Sequence, residues 1–154
     1  MQLTVDYRAI NARETYALRH QILRPHQTLA DCAYPLDDEA TSYHVGAWLE
    51  QDLIGVGSLL QEAQDGTTDT NSWRIRGMAV SDTARGLGVG GHILQALIDY
   101  ASRQEKPGTI WCNGRTTVQG FYEHFGFVQH GPIFNLPAIG PHVLLIKTIP
   151  GNGI

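Results

Sequence analysis

The sequence predicts a mixed α+β fold, and three observations carry that prediction. A strand and a capped helix open the chain, a β-hairpin occupies residues 43–61, and a glycine-rich turn, Arg85-Gly86-Leu87-Gly88-Val89-Gly90-Gly91, leads from a strand-like run into an amphipathic helix. Helices follow some strands while a hairpin joins others, which is neither an all-β pattern nor a strict βαβ alternation.

Residues Leu3 to Tyr7 alternate as a strand does, and Asn11 followed by Glu14 forms a capping pattern for a helix through about Leu23. Arg24 to Ser42 contains two prolines and the acids Asp31, Asp37, Asp38 and Glu39, and reads as a long loop or a weak second helix. Long loops in compact domains are often functional. Tyr43, Val45, Ala47 and Leu49 alternate, Glu50-Gln51-Asp52 turns the chain, and Leu53 to Gln61 returns as the second hairpin strand. Gln64 to Asn71 is a polar loop, and Trp73 to Val80 is a further strand, with Gly77 marking a bulge.

Beyond the glycine turn, Gly90, Ile93, Leu94, Leu97, Ile98 and Ala101 recur at helical spacing until Pro107-Gly108. Thr109 to Cys112 is a short strand and Thr116 to Phe125 a short helix ending at Gly126. Strands over Phe127–Phe134 and His142–Ile149 close the chain. There is no internal repeat and no low-complexity segment.

A length of 154 residues predicts a single domain spanning 1–154. Hydrophobic residues at 42% and charged residues at 17% describe a folded globular protein. The net charge of −4, with no Lys/Arg cluster, argues against nucleic-acid binding and favours tolerance of a cationic substrate. Cys32 and Cys112 lack zinc or redox spacing, so reduced thiols and a cytosolic location are expected. The first residues lack a basic start followed by an apolar block, and no run of about eighteen apolar residues occurs, which argues against secretion and membrane spanning.

The glycine turn carries the chemistry. Glycine has no Cβ and adopts positive φ, so successive amides turn toward one anion, and the helix that follows adds unpaired N–H groups. Such a turn holds a phosphate or pyrophosphate, although glycine turns also serve as plain strand-to-helix connections.

With the turn in this context, the chain resembles the GNAT superfamily of N-acetyltransferases over essentially its full length. The family's Arg/Gln-x-x-Gly-x-Gly/Ala signature is matched by Arg85-x-x-Gly88-x-Gly90. Met78-x-Val80 looks like the end of the family's fourth strand. Phe121-Tyr122-Glu123-His124-Phe125-Gly126-Phe127 looks like its late helix. The resemblance implies an acyl-CoA N-acyltransferase fold, a seven-stranded mixed sheet flanked by about four helices, with strands four and five splayed to admit the pantetheine arm of acetyl-CoA. Met78, Ala79 and Val80 would pair with the pantetheine amides, and Arg85, Gly86, Leu87, Gly88, Val89, Gly90 and Gly91 would hold the pyrophosphate. Many members carry an asparagine three residues before a small residue in the late helix. This chain has Arg115 and Val118 there, so Asn113 or Arg115 would supply that cofactor contact. The resemblance further implies a small-molecule or peptide amine as acceptor, and pairing of two copies, which many members achieve through sheet edges or C-terminal strands.

An alkylammonium is only about one part in 2,500 neutral at pH 7, a deficit of roughly 4–5 kcal/mol, so acyl transfer needs a base or a proton exit route. Glu62 beside the presumed cleft, His26 in the first loop and His142 at the start of the last strand are the candidate bases, with a water chain as the alternative. By its place in the Phe-Tyr-x-x-x-Gly-Phe pattern, Tyr122 is the candidate acid for the departing thiolate. His20, His44, His92, His124 and His130 show no paired-ligand spacing, so no metal is expected. Asp31, Asp37, Asp38 and Glu39 either receive a cationic acceptor or are simply solvated. Trp48, Trp73 and Trp111 fall in predicted strands and read as core or sheet-face residues.

Two rivals remain. Gly86-x-Gly88-x-x-Gly91 also satisfies the dinucleotide fingerprint, but the acid expected about twenty residues further on is missing after Trp111-Cys112-Asn113. The other is a non-catalytic acyl-CoA-binding protein of the same fold. No Gly-Lys-Ser/Thr follows the glycines, which removes a P-loop hydrolase.

Overall fold

A computed structural model describes residues 4–64, 67–68, 71–84, 86–104 and 108–149. Seven strands form one mixed sheet: β1 (Val5–Ile10), β2 (Tyr43–Leu49), β3 (Asp52–Gln61), β4 (Ser72–Val80), β5 (Thr109–Arg115), β6 (Val128–Leu136) and β7 (Gly140–Thr148), in the order β1-β2-β3-β4-β5-β7-β6. The described residues form three α-helices rather than about four: α1 (Ala12–Leu18), α2 (Val89–Ser102) and α3 (Gln119–His124). The loop from Arg24 to Ser42 makes only a short 3-10 turn, Leu29–Cys32, whose Thr28/Asp31 capping box is followed closely by Pro35. The strand expected over Thr109–Cys112 continues to Arg115, so Asn113 and Arg115 are strand residues. The late helix begins as a 3-10 turn, Thr116–Val118, before α3.

Two compact units make up the chain: residues 1–60 with 75–100, and residues 61–74 with 101–154. In the first, β1 pairs antiparallel with β2, and β2 with β3, through the tight turn expected at Glu50. Asn11 accepts from Glu14 N at 3.0 Å, and Glu14 Oε1 accepts from Asn11 N at 3.1 Å, so the capping box at the head of α1 forms as its sequence requires. The helix expected to reach Leu23 does so, but its last turn, Arg19–Leu23, opens into a π-helix. Leu18, Val56 and Ala79 form a small core cluster with Ile10, Ile22, Leu23 and Leu53 against it. The packing of α2 on β3 is set by two glycines. A Cβ at Gly55 would lie 2.6 Å from Val89 Cγ1, and one at Gly57 would lie 2.6 Å from Ile93 Cγ2.

The buried centre of this unit is polar. Arg19 and Asp37 form a two-pronged ion pair, Nη1–Oδ2 2.7 Å and Nη2–Oδ1 2.9 Å, with both side chains essentially unexposed. Arg19 also donates to Cys32 O at 2.8 Å and to Ser58 Oγ at 2.9 Å, and Tyr34 N donates to Asp37 Oδ2 at 2.8 Å. His44 bridges Ser58 Oγ (2.6 Å) and the Asp37 carbonyl (2.9 Å). A carbonyl can only accept, so Nε2 carries a proton, and in a neutral ring Nδ1 would be the acceptor for the Ser58 hydroxyl. The sequence reading of Asp37 as a loop acid, solvated or open to a cationic acceptor, is therefore corrected: it is committed to Arg19.

In the second unit, β4 and β5 pair in parallel over Ser72–Arg74 and Thr109–Trp111. Next, β5 pairs antiparallel with β7, and β7 with β6, whose register shifts between His130 and Phe134. Ile110, Trp111, Cys112, Tyr122, Phe127, Val143 and Leu145 are its main buried side chains.

Replacing Asp37 by Ala strands a buried guanidinium, and urea denaturation should show a loss of about 3–5 kcal/mol. The double variant Arg19→Met/Asp37→Leu should lose clearly less than the sum of its single variants. Additive losses would show that the pair is not coupled.

Candidate active site

The glycine turn sits between the 3-10 turn Asp82–Ala84 and α2. Arg85 lies outside the described residues. Gly86 (φ +87°) and Gly88 (φ +73°) both occupy left-handed conformations, and a Cβ on Gly86 would meet nothing within 4 Å. Conformation, not space, is what demands glycine there. The Gly88 carbonyl is pulled back into the helix by two donors, His92 N at 3.1 Å and His92 Nδ1 at 2.8 Å. The His92 ring in turn stacks on Tyr7, centroids 5.1 Å apart. Val89 is buried and anchors the start of α2, whereas Leu87 is exposed and Gly90 and Gly91 are half-buried. The first amides of α2 have no partner within the helix, as at any helix start, so the turn and helix present donors to an anion.

Upstream, Met78 and Val80 are half-buried and Ala79 is buried. They lie outside the three-residue ladder that β4 makes with β5. At Gly77, where a bulge is expected, φ is +70°, and a Cβ there would stand 2.8 Å from Arg19 Nε. Arg19 Nε is buried without a hydrogen-bond partner.

In the second unit, Tyr122 is buried on α3. Its ring lies over Gly114, where a Cβ would be 3.5 Å from Cδ2 and Cε2, and it meets Phe121 and Phe127 edge-on. Burial, reinforced by the nearby Cys112, holds its phenol well above the usual tyrosine range. The Cys112 thiol is itself pushed up to about 12 by burial. Both groups stay protonated at neutral pH.

Strand alternation puts Gly114 and Cys112 on one face of β5, and Trp111, Asn113 and Arg115 on the other. His142 pairs with Arg115 across β5 and β7 and so shares that second face. Its Nδ1 donates to Gly140 O at 2.8 Å, which fixes the proton on Nδ1 and leaves Nε2 with its lone pair when the ring is neutral. Glu62 is engaged: Oε2 accepts from Arg74 Nη1 at 3.1 Å, and its carbonyl accepts from Trp111 Nε1 at 2.8 Å. The Arg74 guanidinium lies over the Trp111 ring at 4.8 Å. His26 is exposed in the first loop. Among the described residues no group of three or more His, Cys, Asp or Glu is arranged to hold a metal ion.

Sequence reasoning missed the Arg19–Asp37–Ser58–His44 network. An arginine in the last turn of a helix looks like a surface residue, and the one signal available was an acid in a proline-containing loop.

A mixed seven-stranded sheet with a phosphate-type glycine turn at the head of α2 is the architecture of an acyltransferase, and comparison with known proteins agrees. Residues 7–127 match the acetyltransferase (GNAT) family. The uncharacterized N-acetyltransferase YitI of Bacillus subtilis (strain 168) is 31% identical over 145 residues, covering 94% of this chain and 97% of that protein. The structure of Escherichia coli ElaA superposes with a TM-score of 0.74 at 17% identity, covering 94% of this chain and 99% of that one. The NatC complex bound to Gag peptide and CoA gives a TM-score of 0.75 at 18% identity, covering 96% of this chain and 100% of that one. These two structures carry the fold alone. The chain belongs to the acetyltransferase (GNAT) family and is an N-acetyltransferase.

The thiol of Cys112 makes stability depend on alkaline pH. Unfolded thiols ionise near pH 8.5, whereas the folded one holds its proton to about 12. Above roughly pH 8.5 the unfolded chain therefore binds fewer protons, and stability present below that pH falls by about 1.4 kcal/mol per unit as pH rises toward the folded value. Between pH 8 and 10, urea denaturation should show wild type losing about 1–2 kcal/mol more than Cys112→Ala. Equal losses would mean the thiol is not the cause.

Proposed function

We propose that this enzyme takes its acetyl group from acetyl-CoA and passes it directly to a primary amine within a ternary complex. The observation that carries the reading is the turn Gly86–Gly88, with two positive-φ glycines and the Gly88 carbonyl drawn into α2, which prepares an anion site for a pyrophosphate. The likeness to the NatC structure, which holds CoA, supports the same donor. Gly86 to Gly91 and Arg85 hold the pyrophosphate. Met78, Ala79 and Val80 pair with the pantetheine amides as an added strand would, and Asn113 and Arg115 approach the cofactor from β5.

The neutral amine attacks the thioester carbon, a backbone N–H of Met78–Val80 stabilises the oxyanion, the C–S bond breaks, and the sulfur leaves with its electron pair. An ordinary thiol ionises near 8.5 and a phenol near 10, and burial raises Tyr122 further. Full proton transfer from Tyr122 to the thiolate is therefore uphill by at least about 2 kcal/mol. Tyr122 acts first as a hydrogen-bond donor to the departing sulfur, and its proton follows late. Of the three candidate bases, His142 has an available nitrogen lone pair, Glu62 is held by Arg74, and His26 stands in solvent. His142 is the base in this reading. The two free cysteines, Cys32 and Cys112, fit a reducing cytosol.

Calorimetric titration with acetyl-CoA, CoA and NADH tests the donor. Both CoA species should bind, NADH should not, and Gly88→Glu, which adds a carboxylate and a Cβ at positive φ, should weaken CoA binding at least about a hundredfold. Absence of binding by either CoA species sinks the assignment. Tyr122→Phe should lower kcat roughly a hundredfold with little change in KM for acetyl-CoA. A kcat kept within twofold would remove Tyr122 from the chemistry.

A further inference from the structure

The acceptor's chemical class follows from a cluster of arginines around one ring, an inference that rests on the donor site proposed above. The guanidinium carbons of Arg19, Arg76 and Arg24 lie 3.9, 4.0 and 5.3 Å from the centroid of the Tyr34 ring. Two guanidiniums at about 4 Å do not fit on one face of a ring, so Arg19 and Arg76 cover opposite faces. Their surroundings differ. Arg19 is fully buried and its charge is answered by Asp37. Arg76 and Arg24 are half-buried, and Arg24 Nη1 donates to the neutral Oε1 of Gln27 at 3.1 Å.

Two backbone distortions on different elements converge on this ring. The π-helical turn Arg19–Leu23 widens the end of the first helix and ends at Arg24, and the positive φ of Gly77 clears the face toward Arg19 and Tyr34. A π-helical turn is less favourable than regular helix, and such turns gather where function requires a side chain to be re-aimed.

The cluster also stands where the acceptor must arrive. With pyrophosphate at Gly86–Gly91, the arm runs back along β4 past Val80 first and Met78 last, which leaves the thioester toward Gly77 and Arg76. Two strand residues span about 7 Å, the reach of a small molecule's second functional group. Of the loop's acids, Asp37 is buried against Arg19, and Asp31 caps the 3-10 turn with Thr28 while also feeling the charge of Arg24.

We propose that the acceptor is a primary amine that also carries a carboxylate, the carboxylate held by Arg24 and Arg76 beside Tyr34 while the amine faces the thioester. A planar guanidinium meets a carboxylate in two-pronged fashion, and an aromatic face fixes its plane. The bonds made and broken are those of the transfer above: N–C forms, C–S breaks, the sulfur takes a proton and the carboxylate leaves unchanged.

The test measures thiol release from acetyl-CoA with a series of ω-amino acids of increasing chain length, their carboxamides and the matching diamines, alongside calorimetry of acetyl-CoA binding to the wild-type protein. At the best chain length, kcat/KM for the acid should exceed that of its amide at least tenfold. In Arg24→Gln and Arg76→Gln that ratio should fall toward one, and Arg24→Lys should restore part of it. Should Arg76→Gln fail to fold, the Arg24 pair of variants decides. Acetyl-CoA binding combined with amides or diamines used as well as acids, or with no turnover of the acid series, overturns the carboxylate inference alone. Failure to bind acetyl-CoA overturns the donor reading and this inference with it.

Discussion

The ion pair between Arg19 and Asp37 is the interaction on which the first unit depends. A guanidinium removed from water needs its donors satisfied, and Asp37, the Cys32 carbonyl and Ser58 Oγ together take up Nη1 and Nη2. These partners come from the first loop and from β3, and His44 on β2 joins through Ser58 and the Asp37 carbonyl. A segment of about twenty residues with almost no regular structure is thereby tied to the sheet at a defined point. The consequence reaches β4, where Gly77 must lack a side chain because Arg19 Nε passes so close.

Packing by omission recurs at the glycine turn. Positive φ at Gly86 and Gly88 shapes the turn, while Gly55 and Gly57 let α2 approach β3 so closely that a methyl group at either position would overlap Val89 or Ile93. The helix that presents its first amides is thus fixed by a shallow floor beneath it. His92 adds a local restraint, closing the Gly88 carbonyl from one side while stacking on Tyr7 from the other.

Charge illustrates why composition is a weak guide to a site. A net charge of −4 invites the picture of an acidic surface suited to a cationic substrate. Around Tyr34 the local balance is reversed, since three of the chain's arginines gather at one ring and the most deeply placed loop acid is occupied by the deepest of them. Net charge sums over residues that never meet, whereas recognition depends on the few that do.

Much of the architecture was legible in the sequence because it depends on neighbours along the chain. The Asn11/Glu14 cap, the hairpin through Glu50, the left-handed glycine at Gly77 and the start of α2 after Gly88 are local events, set by φ preferences and by periodicity over a few residues. Tertiary structure decided the extension of β5 to Arg115, the burial of Asp37, the bridging of Ser58 and Asp37 by His44 and the engagement of Glu62 by Arg74, each of which needs a partner distant in sequence. By itself the sequence determined the family, the fold class and the glycine turn, because those rest on backbone conformation written into single residues and short spacings. Which charged side chains face solvent and which face one another was decided only when the fold had placed them, because the energy of a charge is set by what surrounds it.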